Sequence, residues 1–164
     1  MLYVGTWRAL FAWHVEDMNL CSINYIHRGA HKSWYSVPPS SADAFERLAR
    51  AHFAGEFASC PEYLRHKTTL LSPAKLDEAN VPYSTCLQSE GEIIITWPAS
   101  YHCGFNHGFN IAESSNFAIE RWLKEGRRAG FCKCRPHSVR IDVGTVAHLY
   151  RTSRARRPLL TPCT

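Results

Sequence analysis

The stretch FAWHVEDMNLCSINYIHRGAHKSWYSVPP, residues 11–39, decides the fold. It is rich in aromatic and β-branched residues, which favour strands, and Arg28-Gly29-Ala30 supplies a turn signal near its middle. The flanking residues, Ser22–Ile26 and Lys32–Val37, are therefore predicted to form two strands joined as a hairpin. Pro38-Pro39 ends the second strand.

Working outward along the chain, short helices and further strands follow in irregular order. The predicted helices are one capped by Ser40 or Ser41 with Phe45, Leu48, Ala49 and His52 on its apolar side, one over Pro61–Lys67, one from Ser72-Pro73 to about Ala79, and an exposed one over Ile119–Arg128. The predicted strands are a buried one at Glu92–Trp97 and another at Ile111–Ala118, separated by the Gly- and Asn-rich segment Tyr101–Asn110. Because strands and helices do not alternate regularly, the pattern favours a mainly β antiparallel sandwich or barrel with helical insertions over a doubly wound sheet.

Composition indicates one globular domain. The chain has 164 residues, of which 45% are hydrophobic and 20% charged, and such a chain can bury a core. No stretch approaches the roughly 18 apolar residues that a membrane span needs, so we expect a soluble protein without a membrane segment. The cysteine count of seven is odd, and no N-terminal run resembles a secretion signal. We therefore expect a reducing cytosolic or nuclear compartment and no disulfide framework.

The charge is unevenly distributed along the chain. Residues 1–118 hold 8 basic and 11 acidic side chains (net −3), whereas residues 119–164 hold 11 basic and 3 acidic ones (net +8). Such a basic end either attracts nucleic acid or chromatin or is simply a solvated tail. The run RTSRARR at 151–157, followed by a proline, has the composition of a disordered end. We therefore expect one globular domain over 1–140 and a basic, disordered tail over 141–164.

A metal-binding pattern lies inside the opening stretch. His14 and Glu16 are two residues apart, and on a strand such positions point to the same face. His102, just past the strand Glu92–Trp97, is a candidate third ligand, and His107 is its rival. Two histidines and one carboxylate form a facial triad that leaves adjacent coordination positions open, as in non-haem Fe(II) oxygenases. The H-x-E pattern alone equally fits ordinary surface or paired residues, so the residues by themselves leave both alternatives open.

A wider pattern accompanies these residues. The opening stretch and a second one, EIIITWPASYHCGFNHGFNIAESSNFA at residues 92–118, closely resemble the JmjC histone lysine demethylases. The resemblance covers residues 3 to about 135 in long unbroken blocks. It implies a double-stranded β-helix, the jelly-roll barrel related to cupins, with Fe(II) inside one mouth. The family pattern assigns the iron to His14, Glu16 and His102, and not to His107.

The same resemblance implies the co-substrate and the reaction. 2-Oxoglutarate would bind Lys32 through its far carboxylate and Asn24 through its metal-side carboxylate, with Phe11 and Trp34 as apolar walls. Lys32 and Trp34 share one face of an otherwise aromatic strand, an uncommon place for a solvated lysine, although a strand-end lysine beside the turn is the ordinary alternative. In this family 2-oxoglutarate is decarboxylated to succinate, an N-methyl carbon is hydroxylated, and formaldehyde is released. Trimethyl-lysine can react, because no nitrogen lone pair is required.

The resemblance also implies a pocket for the methylammonium group. The residues assigned to it are Tyr3, Gly5, Glu16, Ser114, Ser115 and Asn116. Lys67 matches a catalytic lysine on the peptide and dioxygen side. A phenol face and polar oxygens suit a methylated cation, and the two small serines leave space for di- and trimethyl states. Ser115→Ile is expected to shift the preference between these states, whereas ordinary strand serines are the alternative interpretation.

A second set of metal ligands is spread along the chain. Three thiolates and one imidazole, from Cys60, His66, Cys132 and Cys134, are the usual ligands of a tetrahedral structural zinc. Spacing alone leaves open that these cysteines are small buried apolar residues. The resemblance assigns Zn(II), because the JmjC demethylases that act on lysine nine and lysine thirty-six of histone H3 carry this Cys₃His set at corresponding places. The remaining cysteines, Cys21, Cys86, Cys103 and Cys163, show no partner pattern.

Taken together, the resemblance implies a nuclear enzyme that acts on the methylated histone H3 tail in chromatin. The family's JmjN segment and opening strands have no counterpart before Tyr3, so we expect a barrel without its opening strands and an impaired activity. Two other hypotheses are a chromatin-binding relative without catalysis and an oxygenase that hydroxylates another protein. The intact triad disfavours the first, and the Cys₃His set and the Ser114-Ser115 pair disfavour the second.

Overall fold

The computed structural model describes residues 1–155. Within them, eight strands form two four-stranded antiparallel sheets. The strands are β1 Leu2–Gly5, β2 Leu10–His14, β3 Cys21–Gly29, β4 Lys32–Val37, β5 Ser84–Gln88, β6 Ile93–Thr96, β7 Tyr101–Asn106 and β8 Asn110–Phe117. The first sheet has the order β1-β8-β3-β6, and the second has the order β2-β7-β4-β5. The prediction of a mainly β antiparallel fold is confirmed, and two packed sheets agree with the jelly roll that the resemblance implies.

The predicted hairpin between β3 and β4 is wrong. Each strand is present, but β3 pairs with β6 and β8 in the first sheet, whereas β4 pairs with β5 and β7 in the second. The chain crosses between the sheets at Gly29, whose φ of +109° suits glycine and which lies directly against the backbone of Phe109. A turn signal therefore marks the end of a strand and does not say which sheet receives the next one.

Strand β7 is the main element that the sequence analysis missed. The Gly- and Asn-rich segment that contains it was not predicted to form a strand, yet it lies inside the second sheet between β2 and β4. Conversely, the strand predicted as buried, β6, is at the edge of the first sheet, and Ile93 and Ile95 are about half exposed there, at 54% and 46%. Burial follows the position of a strand in its sheet, which local composition does not encode.

The helices are α1 Ala42–His52, α2 Ala54–Ser59, α3 Pro73–Glu78, α4 Trp122–Arg128 and α5 Val143–Ala155. The predictions of α1, α3 and α4 are confirmed, although α4 buries Trp122. The helix predicted over Pro61–Lys67 is a shorter 3₁₀ helix, Tyr63–His66, and α2 was not predicted. Neither Ser41 nor Ser72 makes a side-chain capping hydrogen bond.

The predicted disorder after residue 140 is wrong for residues 143–155, which form α5. Asp142 caps this helix by accepting hydrogen bonds from the N–H of Gly144 and from the N–H and hydroxyl of Thr145. Val143 packs with Trp122 and Met18 in a small apolar cluster. The prediction of disorder relied on the basic composition of this segment and did not use the capping residue or the apolar positions that follow it. Residues 156–164 of the predicted tail lie outside the described part of the chain.

The main core lies between the second sheet and the helices. Trp13, Val37 and Tyr101 from three strands pack against Phe45 of α1 and Leu76 of α3, and all five are buried. Each such side chain contributes about 1.5–3 kcal/mol by leaving water. This packing holds the second sheet rigid from its outer side. Among residues 1–155, every helix is too short or too polar to span a lipid bilayer.

Candidate active site and second metal cluster

The triad of His14, Glu16 and His102 comes together at the end of β2. His14 and His102 pair across β2 and β7, and their ring centroids are 4.3 Å apart. Glu16 Oε1 lies 3.5 Å from His102 Nε2 and 3.9 Å from His14 Nε2. One ligand atom from each residue lies within 4.8 Å of the other two. Two imidazoles and one carboxylate converging in this way fit a divalent metal with open coordination positions.

Backbone carbonyls orient both imidazoles. His14 Nδ1 lies 2.7 Å from the carbonyl oxygen of Ala12, and His102 Nδ1 lies 3.0 Å from that of Ser100. A carbonyl only accepts, so Nδ1 is the donor in each ring and Nε2 keeps its lone pair in the neutral form. Both free lone pairs therefore face the Glu16 carboxylate, as metal-ligating histidines require.

The metal-free triad favours the protonation state that binds a cation. Burial, together with the nearby His102, lowers the pKa of His14 to about 4, so this imidazole is neutral at pH 7. Burial alone would raise the pKa of Glu16, but its contacts with His102 and Asn116 outweigh this effect and hold the pKa well below its usual range. The centre thus offers an ionised carboxylate beside a neutral imidazole.

A cavity of about 400 Å³ extends from the triad between the two sheets. The rings of Phe11 and Trp34, with centroids 4.8 Å apart, form an apolar wall. A register shift in β2 between Phe11 and His14 turns both side chains toward this cavity, although they are three residues apart. Gly104 lies beneath the wall, where an added Cβ would collide with the ring of Phe11 and the carbonyl of Ser33.

Lys32 brings a buried positive charge to the same cavity. Its side chain donates to Asn106 Oδ1, and the residue is 7% exposed. Burial lowers the pKa of this ammonium group. Within residues 1–155 no carboxylate forms an ion pair with it. A buried ammonium without a counter-ion is costly, so the cavity is suited to an anion.

Two asparagines, Asn106 and Asn110, line the cavity and were not predicted as site residues. Asn110 also donates to Asn106 Oδ1, the atom that accepts from Lys32. The signal that was available is the alternation along β7, which places Asn106 on the same strand face as His102 and Gly104. It was missed because no strand was predicted in this Gly- and Asn-rich segment.

Buried polar atoms without partners also point to a ligand. Asn24, predicted to contact 2-oxoglutarate, lines the cavity. In the part of the chain that the structure describes, neither its Oδ1 nor that of Asn110 has a hydrogen-bond partner. Buried oxygens in native proteins are nearly always bonded, so unpaired ones at a cavity wall are suited to bind a ligand. Gly5 permits this packing, because an added Cβ would collide with the side chains of Asn106 and Asn110.

The structure brings most of the predicted methylammonium residues to the cavity, but not all of them. Tyr3, Gly5, Glu16, Ser114 and Asn116 line it together with Lys67, whose Nζ lies 4.0 Å from Glu16 Oε2. Ser115 does not line it: this residue is exposed and follows Ser114 on the opposite face of β8. The resemblance assigned both serines, and strand alternation separates them.

The four predicted zinc ligands converge in a separate place. Sγ of Cys132 lies 3.7 Å from that of Cys60, 3.0 Å from that of Cys134, and 3.2 Å from His66 Nε2. One ligand atom from each lies within 4.8 Å of the others. Tetrahedral zinc with Zn–S bonds of about 2.3 Å would space its sulfur ligands about 3.8 Å apart. The Cys₃His cluster thus has the size and donor set of a closed tetrahedral site.

The thiols of this cluster are electrostatically linked. Contact with the Cys134 thiol lowers the pKa of Cys132 to about 6, whereas contact with Cys132 raises the pKa of Cys134 to about 11. One thiol in the pair therefore ionises easily and opposes ionisation of the other. A bound dication would remove this opposition by holding both as thiolates.

The sequence of this chain is similar to those of known proteins. A family profile described as "JmjC domain, hydroxylase" matches residues 1–117. Lysine-specific demethylase 4B of Mus musculus is 48% identical over 153 residues, which is 93% of this chain and 14% of that protein. Lysine-specific demethylase 4D of Rattus norvegicus is 44% identical over 153 residues, which is 93% of this chain and 30% of that protein.

A third relative, the probable lysine-specific demethylase 4F of Homo sapiens, is 49% identical over 133 residues, which is 81% of this chain and 21% of that protein. The chain therefore spans less than a third of the length of each of these relatives. The family match covers both sheets and all three triad residues. This chain belongs to the JmjC domain family.

Proposed function

We propose that the chain carries an Fe(II)- and 2-oxoglutarate-dependent histone lysine demethylase site that acts on di- and trimethyl-lysine of histone H3 in the nucleus. The observation that carries the proposal is that one cavity holds the His14–Glu16–His102 triad and the buried cation Lys32. A three-ligand metal centre and a buried ammonium are what a chelating dicarboxylate co-substrate needs. The demethylase names of the relatives support the substrate class.

Each end of 2-oxoglutarate has a group suited to it. Lys32 would pair with the far carboxylate, with Asn106 fixing the ammonium, and Asn24 would bond the metal-side carboxylate. Phe11 and Trp34 would exclude water from the carbon chain. Iron held by the triad would supply the activation of dioxygen that oxidises 2-oxoglutarate to succinate and carbon dioxide and hydroxylates the N-methyl carbon. The resulting N-hydroxymethyl group then loses formaldehyde and leaves the amine one methyl group shorter.

The mouth of the cavity suits a methylated ammonium ion. The ring of Tyr3 offers a π face, and Ser114 and Asn116 offer oxygens, so the methyl groups would be held by weak polar and cation–π contacts. Glu16 lies in the same wall and adds negative charge close to the substrate cation. Lys67, whose Nζ lies 4.0 Å from that carboxylate, would stand at the boundary between the metal and the incoming peptide.

Zinc in the Cys₃His cluster is the second metal of the proposal. The four side chains supply all ligands of a tetrahedral ion, so the site would be structural and not catalytic. It would join the end of α2 and the 3₁₀ helix Tyr63–His66 to the segment after α4. We expect one zinc per chain, retained under mild chelation that removes iron.

The test is formaldehyde release from a trimethylated histone H3 tail peptide with Fe(II) and 2-oxoglutarate. His102→Ala should abolish release because it removes a metal ligand, whereas His107→Ala is the matched control, since His107 is an exposed histidine bonded to Ser33. Full activity in His102→Ala would contradict the proposal. Peptide binding without turnover in the unaltered chain would favour a chromatin-binding relative without catalysis, and succinate formation without formaldehyde would favour a protein hydroxylase.

A further inference from the structure

We propose that Arg65 is a positioning residue that fixes the carboxylate ligand Glu16 by clamping the turn behind it. The proposal rests on the function proposed above, in which Glu16 is a metal ligand. Arg65 itself does not line the cavity of the triad. Its effect would be exerted through the backbone of the segment that follows β2.

The guanidinium group of Arg65 holds both ends of this turn. It donates to the backbone carbonyl of Glu16 at 3.1 Å and to Asn19 Oδ1 at 3.0 Å. Its third contact is Glu62 Oε2 at 2.6 Å, and the side chain is 9% exposed. Arg65 lies 49 residues from Glu16 and 46 from Asn19, so these are tertiary contacts. A planar group with several fixed donors is suited to bridge such separated acceptors.

The turn needs an external support because the sheet does not provide one. Strand β2 ends at His14, and its pairing with β7 ends there as well. Beyond Glu16, Met18 and Asn19 adopt left-handed conformations with φ of +55° and +50°. Left-handed residues other than glycine cost free energy and persist only when the surroundings hold them. Glu16 is therefore the triad ligand whose backbone the strands control least.

A second support is on the far side of the turn. Trp122 of α4 is buried and donates its indole N–H to the carbonyl of Met18 at 2.9 Å. Met18 in turn packs with Trp122 and Val143. Arg65 and Trp122 thus hold successive parts of the same turn, and Arg65 is the support that contacts Glu16 itself.

The position of Arg65 in the chain links the two metal centres. It directly precedes His66, which belongs to the Cys₃His cluster, and the next residue is Lys67, whose Nζ lies 4.0 Å from Glu16 Oε2. Three consecutive residues therefore have linked roles. Arg65 contacts the backbone of Glu16, His66 belongs to the Cys₃His cluster, and Lys67 lies near the Glu16 carboxylate. A cluster that fixes His66 would also fix the starting point of the Arg65 side chain.

The experiment measures Mn(II) binding to the full chain in the presence of 2-oxoglutarate, with zinc content determined on the same samples. Mn(II) replaces Fe(II) because it does not oxidise during the titration. Arg65→Met should weaken Mn(II) binding about tenfold to a hundredfold, the usual effect of removing a group that orients a metal ligand. Zinc content should remain one per chain. Arg47→Met, at an exposed arginine on α1, is the matched control and should leave both values unchanged.

Asn19→Ala tests the clamp with a smaller change, because it removes one of the three Arg65 contacts and leaves Glu62 paired. If Asn19 and Arg65 act together, the double variant should bind Mn(II) no more weakly than Arg65→Met alone. Unchanged Mn(II) affinity in Arg65→Met with zinc retained would overturn the proposal. Loss of zinc together with Mn(II) would also overturn it, since Arg65 would then support the cluster and not Glu16. Failure of the unaltered chain to bind Mn(II) would instead contradict the proposed function.

Discussion

The triad and the Cys₃His cluster differ in the elements that carry their ligands. His14 and His102 stand opposite each other on paired strands, and Glu16 follows two residues later. The ligands of the cluster come instead from the residue that follows α2, from the last residue of a 3₁₀ helix and from the segment after α4. Strand pairing presets the first centre, whereas the second has no sheet behind it and depends more on its metal.

The two centres also differ in what surrounds them. The triad opens into a cavity of about 400 Å³ that contains a buried cation, so reactants have room beside the metal. The cluster has four ligand side chains within bonding range of one ion and leaves no coordination position open. Three ligands preset by the sheet, with a cavity beside them, suit a reactive metal centre. Four converging ligands without such a cavity suit a structural metal site.

The largest expected effect is the loss of stability when a ligand of the Cys₃His cluster is removed. Cys132→Ser should abolish stoichiometric zinc and lower the free energy of unfolding by several kcal/mol, because zinc binding at such sites is folding free energy. Thermal unfolding and metal analysis measure both quantities. Cys86→Ser, at an exposed cysteine outside the cluster, is the control and should change neither. Equal melting temperatures for the two variants would show that the cluster does not hold the fold together.

The next largest effect tests the proposal that the cavity binds 2-oxoglutarate. Lys32→Met should raise the KM for 2-oxoglutarate by about tenfold to a hundredfold, since a hydrogen bond to a charged group contributes about 1.5–3 kcal/mol. Zinc content and melting temperature should change little. Steady-state kinetics with varied 2-oxoglutarate are the measurement, and Lys75→Met, at an exposed lysine paired with Glu78, is the control. An unchanged KM would remove Lys32 from the co-substrate site.

The two centres should also differ in how strongly their metal affinity depends on pH. The pKa of Cys134 is raised to about 11 by its contact with Cys132, so zinc must displace a proton at neutral pH. Apparent zinc affinity should therefore fall about tenfold per pH unit for each displaced proton as pH drops from 8 to 6. The pKa of His14 is about 4, so protons compete for its lone pair only near that pH. Mn(II) affinity falling as steeply as zinc affinity between pH 8 and 6 would contradict this distinction.

The smallest effect concerns the mouth of the cavity. Ser114 lines the cavity and Ser115 does not, so Ser114→Val should lower the trimethyl-to-dimethyl rate ratio several-fold, because one methylene in a pocket is worth about 1–3 kcal/mol. Ser115→Val should leave the ratio nearly unchanged. Competition between the two methylated peptides gives the ratio directly. A larger effect at Ser115 would restore the assignment that the family resemblance made.

The sequence predicted the parts of the site that local rules encode. The alternation of Lys32 and Trp34 places both side chains on the strand face where the structure has them. The H-x-E spacing correctly joins His14 and Glu16 in one site, although Glu16 lies beyond the end of β2. Strand β7 escaped because Gly104 and Asn106 disfavour strands locally, and their use depends on Phe11 and Lys32 far away in the chain. Helix α5 was not predicted, because the basic composition of this end of the chain indicated disorder, although Asp142 caps the helix. Sheet membership of β3 and β4 is a tertiary property that no turn signal contains.

The central claim is that the triad and Lys32 form one site for a metal and 2-oxoglutarate. Calorimetric titration of 2-oxoglutarate into the zinc-loaded chain, with and without Mn(II), tests it most directly. Mn(II) should tighten 2-oxoglutarate binding at least about tenfold, 2-oxoglutarate should tighten Mn(II) binding by the same factor, and His102→Ala should abolish the coupling. Equal 2-oxoglutarate affinity with and without Mn(II), or coupling that persists in His102→Ala, would contradict it.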